Sequence, residues 1–296
     1  MPKQLTLPGL IVKKNNELIR TRINIESVDS SRVLANLIAC IKFDETDFKN
    51  TYKVAIKDFI SDTGGKAYTQ IKKACRELSR ATAEIEEPDP DSPFPYLRLY
   101  TFFSSISCRN GIIEARFNWE MTPFLLELKK CFTQYNLLDY LSLPSVYSQR
   151  IFEILKSWEK IEQGYVDIEL SELHRLLNCP NSQKNNFKEF RRYVLEKAHK
   201  DINEKTDLSF DWEPIKNGRA VESIRFLFNG KQAAIAEKSK QDKKAERKRQ
   251  LDTQRFIKAV NCAKEKKGIC HNQDNIRIIC RMCLEKRLCD EMKKKY

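Results

Sequence analysis

The side chains with most chemistry to offer are arranged in few constellations. Three histidines, His174, His199 and His271, stand far apart, and none belongs to a His-x-His pair of the kind that holds a divalent cation beside a strand-nicking tyrosine. Gly64-Gly65-Lys66 has the outline of a phosphate loop, but that loop needs glycine at position 60 and Ser or Thr at 67, where the chain has Ile60 and Ala67. Neither His-Glu-x-x-His nor Gly-x-Ser-x-Gly occurs. Most carboxylates are interleaved with Lys and Arg, as on solvated helix faces. The expectation is a protein that binds rather than an enzyme.

Cysteine is the next candidate. Cys280-x-x-Cys283 is a chelating pair, and Cys270 or His271 with Cys289 would complete a tetrahedral structural zinc site; the alternative is free or redox-sensitive thiols. Cys40, Cys75, Cys108, Cys131 and Cys179 lie in apolar stretches and read as core thiols of a reducing compartment, which places the protein in the cytoplasm. Uncharged stretches such as 33–41 and 99–108 are too short to span a bilayer, which takes roughly 18 residues or more. No membrane partner is expected.

Binding chemistry concentrates near residue 190. A helix from about Asn185 to Lys205 puts Phe187, Phe190, Val194, Ala198 and Ile202 on one side, at about 100° per residue. Lys188, Arg192, Glu196 and His199 fall on the other, Lys184, Asn185 and Asn186 stand at or before its start, and Arg191 falls nearer the apolar edge. Such a face suits a DNA major groove, where Arg or Lys pairs with guanine and Asn with adenine. It is also what an ordinary solvated helix presents. Downstream, Lys216-Asn217-Gly218-Arg219 sets two cations at a hairpin tip, within reach of backbone phosphate.

The 296 residues carry 54 Lys+Arg against 41 Asp+Glu, but residues 231–296 hold 20 against 9 of these, so the body is nearly neutral and the tail strongly basic. Lys243, Lys244, Arg247, Lys248 and Arg249 are its densest run, suited to neutralising phosphates. The body then spells one pattern twice. In the first round Ser30 and Ser31 offer a cap to a helix through Ile41, a short strand follows at 52–56, and a second helix ends near Ala83. Glu84 to Pro95 reads as a loop, and 96–108 with 112–118 flank Asn110-Gly111, a type I′ hairpin signal. Trp119 to Tyr140 is expected to form a connecting helix and link. In the second round come a helix at 145–160, a strand at 166–169, a helix capped by Ser171, the long helix, and a hairpin turning at Asn217-Gly218. Each round is a helix-turn-helix with a hairpin wing. The expected fold class is α+β: an N-terminal arm (1–17), two tandem winged helices (18–135 and 136–230) and a basic cysteine-rich tail (231–296).

Several segments together resemble a family. IVKKNNELIRTRIN near the start, Tyr147-Ser148-x-Arg150 with Leu155, Phe-Arg-Arg-x-Val-Leu at 190–195, Ile202 to Thr206, and Lys216-x-Gly218-Arg219 are similar, in this order, to the iteron-binding plasmid replication initiators, the initiator replication protein family. The resemblance covers roughly residues 12 to 229. It implies that the second winged helix reads repeated double-stranded origin sequences (iterons), with Arg191 and Arg192 at the family's basic positions. It implies that the first serves dimerisation and touches DNA backbone. Monomers would open the origin and engage the host initiator and replicative helicase machinery, while dimers would be inactive or repress their own promoter. Tyr193 stands where members often carry a further basic residue, and the tail extends past the usual end. Two alternatives stay open: a winged-helix transcriptional regulator on an inverted repeat, and a strand-nicking initiator working through a tyrosyl adduct.

Overall fold

The computed structural model describes residues 11–56, 65–128 and 131–228. In chain order the first half has β1 (Ile11–Asn15), α1 (Asn16–Ile19), β2 (Arg22–Ile23), α2 (Val28–Ala39), β3 (Tyr52–Ala55), α3 (Gly65–Leu78), β4 (Thr82–Glu87), β5 (Tyr96–Thr101), β6 (Phe103–Arg109) and β7 (Ile112–Phe117). A 3-10 turn at Trp119–Met121 leads to α4 (Thr122–Leu125), β8 (Phe132–Asn136) and α5 (Leu137–Ser142). The second half has α6 (Val146–Trp158), β9 (Tyr165–Glu169), α7 (Leu170–Leu176), α8 (Asn181–Lys184), α9 (Phe187–Phe190), a π-helical turn (Arg191–Leu195), α10 (Glu196–Lys205), β10 (Phe210–Asn217) and β11 (Ala220–Phe228).

Hydrophobic periodicity builds the two winged helices. In α2, Val33, Leu34, Leu37 and Ile38 are buried and meet Ile71, Ala74 and Leu78 of α3. Both pack on the sheet β3-β7-β6, whose Tyr52, Phe103 and Phe117 rings lie about each other with centroids 4.9–5.2 Å apart. In the second unit Phe190, Val194, Ala198 and Ile202 are all buried, as their spacing requires, and α10 packs on α6. Burying an aromatic or branched aliphatic side chain contributes about 1.5–3 kcal/mol, so these stripes set the helix orientations. The wings β6-β7 and β10-β11 turn where expected. Asn110 (φ 53°) and Gly111 (φ 73°) form the first turn, and Gly218 (φ 62°) supplies the left-handed conformation in the second.

Elsewhere local structure departs from the expectation. Residues 11–15, assigned to an arm, form β1, which pairs antiparallel with β8 from Ile11↔Asn136 to Asn15↔Phe132, so a boundary at 135/136 would cut β8. The run from Glu84 is not loop from its start, because β4 pairs with β2 and β5, and Arg22 neutralises Glu84 at 3.0 Å. α3 stops at Leu78 for the same reason. The 96–108 stretch splits at Phe102 into β5 and β6, which belong to different sheets. Ser27, not Ser30 or Ser31, caps α2, its hydroxyl accepting from Ser30 N at 3.1 Å. Glu169 occupies the cap position of α7 in place of Ser171, without a side-chain bond. Of the five expected core thiols, Cys131 is exposed, at φ 54°, while Cys40 and Cys108 are half-buried.

A seam of charged residues joins the two halves. Lys14 Nζ reaches Glu153 Oε1 at 2.6 Å with both side chains 3% exposed. Tyr135 also donates to Glu153, and Arg150 binds its other oxygen at 3.2 Å while donating to the backbone carbonyls of Ile19 and Thr21. Burial pushes the Lys14 ammonium pKa down despite Glu153. Burial alone would raise the Glu153 carboxyl, but Lys14, Arg150 and the two hydrogen bonds hold it below the usual carboxylate range. Nearby, Arg20 stacks 3.4 Å above the Trp158 ring and donates to Ser157 O at 2.7 Å. Asn178 bridges Arg22 Nε and Ile23 O at 2.6 Å each.

Candidate nucleic-acid interface

α9, the π turn and α10 run as one helix from Phe187 to Lys205. Asn186 caps it, its Oδ1 accepting from Lys188 N and Glu189 N at 3.1 and 3.4 Å. Buried Phe190 seats the first turn edge-on against His174, with ring centroids 4.5 Å apart. Burial, aided by the Lys184 ammonium, lowers the His174 pKa below 6.5, so the imidazole packs in its neutral form. The π turn places one extra residue in the helix and changes which side chains face outward. Arg191, Arg192 and Tyr193 are all exposed, and Arg191 pairs with Glu196, five residues on, at 2.8 Å.

The residues expected from the sequence fall into three groups. Lys184, Asn185, Asn186, Lys188, Arg191 and Arg192 lie together on the exposed N-terminal part of this helix and its approach. Lys188 and Arg192 have no carboxylate partner among the described residues, whereas the Arg191 guanidinium lies 5.9 Å from the Trp212 ring centroid on β10. Arg191 is thus exposed rather than tucked against the apolar edge. Lys216, near the end of β10, and Arg219, in the turn before β11, are exposed at the wing tip. His199 is committed elsewhere: its Nε2 lies 3.0 Å from Asp211 Oδ1 and its ring sits edge-on to Phe210, bracing helix against wing. Lys243, Lys244, Arg247, Lys248 and Arg249, with Cys270, His271, Cys280, Cys283 and Cys289, lie outside the described residues.

The structure adds side chains that the sequence pattern alone did not single out. Tyr193, 47% exposed, carries the Arg192 guanidinium 5.2 Å from its ring centroid. Lys197 and Lys200 extend the exposed basic face. The first winged helix repeats the arrangement. Lys72, Lys73 and Arg76 are exposed on α3, with Lys72 Nζ 4.6 Å from the Tyr68 ring centroid, and Arg109 is exposed beside its wing turn. The signal was present in the sequence, because these cations lie between the apolar positions Ile71, Ala74, Cys75 and Leu78.

Each unit thus offers a helix seated by its apolar stripe, a cationic outer face, and a wing with a cation near its tip. Two such units in tandem define a winged-helix protein built to meet a polyanionic duplex. Family models match the chain in two blocks, "Initiator Replication protein, WH1" over residues 11–156 and "Initiator Rep protein, WH2" over 169–228. The chain belongs to the initiator replication protein family. It is 27% identical over 226 residues to an uncharacterized 27.6 kDa protein of Escherichia coli, a match covering 72% of this chain and 93% of that one. Its fold is similar to the crystal structure of the Pi initiator protein in complex with iteron DNA, with a TM-score of 0.59 and 22% identity, covering 75% of this chain and 98% of that one. Among the described residues no helix is long and apolar enough to cross a membrane.

Proposed function

We propose that this replication initiator binds repeated origin sequences, iterons, as a monomer, reading bases with the Phe187–Lys205 helix and setting register by phosphate contacts from both wings and from α3. Exposed Arg192 and Lys188, free of carboxylate partners among the described residues on a helix fixed by buried Phe190, Val194 and Ala198, are the observation that carries this reading. An Arg presented in this way pairs bidentately with guanine, worth about 1–3 kcal/mol of discrimination. No covalent step is involved: binding of several protomers offsets the free energy of melting the adjacent duplex and exposes single strands for the host initiator and helicase machinery.

Self-association fits β5. It is the outer strand of β2-β4-β5, and it carries Tyr96 (54% exposed), Leu97 (50%) and Leu99 (57%), an apolar edge suited to pairing with a second copy. The tail supplies further phosphate contacts through Lys243 to Arg249, and Cys280, Cys283 and Cys289 with Cys270 or His271 hold a structural zinc.

The test is footprinting of purified protein across the DNA upstream of its own gene, over a salt titration. Protection of several direct repeats at helical-turn spacing is expected, and R192A should shift it to roughly 5- to 150-fold higher protein concentration. A single inverted-repeat footprint would replace the initiator reading with that of a regulator, and a covalent protein–DNA adduct would replace it with strand nicking. Alanine at the five tail cations should flatten the salt slope, by about 0.9 for each phosphate no longer neutralised. Metal analysis of the purified chain decides the zinc.

A further inference from the structure

The exposed side chains of the Phe187–Lys205 helix are all Lys, Arg or Glu except Tyr193, which is 47% exposed. Its ring lies outside the hydrophobic core, and its hydroxyl has no hydrogen-bond partner among the described residues. Packing therefore does not account for an aromatic ring at this position. Its neighbour does. The Arg192 guanidinium lies 5.2 Å from the ring centroid, inside the roughly 6 Å range of a cation–π contact. Consecutive residues of an α-helix point about 100° apart, but these two belong to the π turn Arg191–Leu195 and their side chains converge. Arg192 has no carboxylate partner among the described residues, so its donors stay open while the ring limits where the guanidinium can swing.

An arginine in a major groove pairs bidentately with guanine O6 and N7. The apolar group that base pairs present in that groove is the C5-methyl of thymine, which aromatic and methyl-bearing side chains contact. Base pairs stack about 3.4 Å apart, so a ring centred 5.2 Å from the guanidinium carbon falls over the step beside the guanine rather than over the guanine itself. We propose that Arg192 and Tyr193 read one dinucleotide step as a unit, Arg192 pairing with a guanine and the Tyr193 ring packing on the thymine methyl of the adjacent base pair. The proposal rests on the reading of this helix as the one that enters the major groove, and it sharpens that reading to repeats holding a G·C pair beside an A·T pair. The ring acts twice. It buries a methyl group, and it holds the guanidinium near its bonded position before DNA arrives, so less side-chain freedom is lost on binding.

The test titrates the full-length chain, at one fixed salt concentration, on a duplex carrying a footprinted repeat in which thymines are replaced one at a time by deoxyuridine, which lacks only the C5-methyl. One such replacement, next to the guanine whose substitution R192A no longer registers, should weaken wild-type binding by about fourfold, the worth of one buried methyl. The same replacement should leave Y193A binding unmoved, and Y193F, which keeps the ring, should retain the effect. On the unmodified repeat Y193A should bind about tenfold more weakly, because the guanidinium is released as well. Y193A and R192A combined should cost less than their two single losses multiplied. If no thymine is sensitive in the wild-type chain, or if the sensitive one is equally so in Y193A, the proposal is wrong. A loss in Y193F equal to that in Y193A, with no uridine effect, would assign the hydroxyl to a phosphate and overturn it as well. Absence of repeat protection by the wild-type chain removes the major-groove reading and this proposal with it, whereas protection without a Tyr193-dependent methyl effect removes this proposal alone.

Discussion

The seam between the two halves and the outer face of the Phe187–Lys205 helix are built from the same residue types and put them to opposite uses. In the seam each cation is consumed by a partner: Lys14 by Glu153, Arg150 by Glu153 and two carbonyls, Arg20 by Ser157 and Trp158. On the helix, Lys188 and Arg192 have no such partner among the described residues and present their donors outward. Arg191 lies between these extremes, exposed but leaning on Glu196 and Trp212. Sequence proximity to a basic motif therefore does not distinguish an arginine consumed by partners from one left open. The partner set does, and substitutions in the two regions should separate stability from affinity.

The largest effect is expected in the seam. E153Q leaves the buried Lys14 and Arg150 cations without their carboxylate and should lower unfolding free energy by about 3–5 kcal/mol, read from the midpoint of urea denaturation. Unchanged stability would mean that water reaches the pair and that the seam is not a buried junction. Next, R192A should weaken iteron binding by about 1–3 kcal/mol and relax preference at one base position, while moving stability by less than about 0.5 kcal/mol. A comparable loss of stability would place Arg192 with the seam residues. R191A should cost less than R192A in affinity, because Arg191 is already engaged; the reverse order, measured by titration on the same duplex, would move the reading role to Arg191.

Smaller still, alanine at Lys72, Lys73 and Arg76 together should leave base preference intact and reduce the magnitude of the salt slope by about 0.9 for every phosphate these cations neutralise. The smallest effect concerns pH. The folded His174 pKa lies below its unfolded value of 6.5, so the unfolded chain takes up the proton first as pH falls. The stability contributed by keeping the imidazole neutral is complete above about 6.5 and is lost as pH drops toward the folded value. H174Q, compared with wild type by urea denaturation from pH 8 to 5, should show a shallower fall in that window. Parallel curves would sink this assignment.

How much of the fold was legible in the sequence depended on whether the physics was local. Two Asn-Gly turns and the Phe190, Val194, Ala198, Ile202 stripe are short-range signals, and the structure follows them. β1 was not legible because Lys13 and Lys14 read as a solvated arm; only Glu153, 139 residues away, makes Lys14 a buried residue. β4 was hidden because Glu84, Glu86 and Glu87 read as loop until Arg22 and the neighbouring strands are in place. The π turn left the buried stripe intact, so nothing in the apolar spacing announced that Arg191 would turn outward. In the candidate site the exposed helix residues and wing cations were legible, whereas the commitment of His199 to Asp211 depended on a strand twelve residues away. The basic face of α3 was written in the spacing of its cations, but the neighbouring wing was needed to give it meaning.

The placement of aromatic rings gives the molecule an optical readout of its own. Trp158 lies under the Arg20 guanidinium at the seam, Trp212 lies beside Arg191 at the base of the second wing, and Trp119 is 76% exposed. The chain has three tryptophans, so each of these stations holds one of them. Replacing two at a time with phenylalanine leaves an intrinsic fluorophore at a chosen place. Emission from Trp158 then follows the junction between the halves, and emission from Trp212 follows the Phe187–Lys205 helix, as DNA is added to the same cuvette.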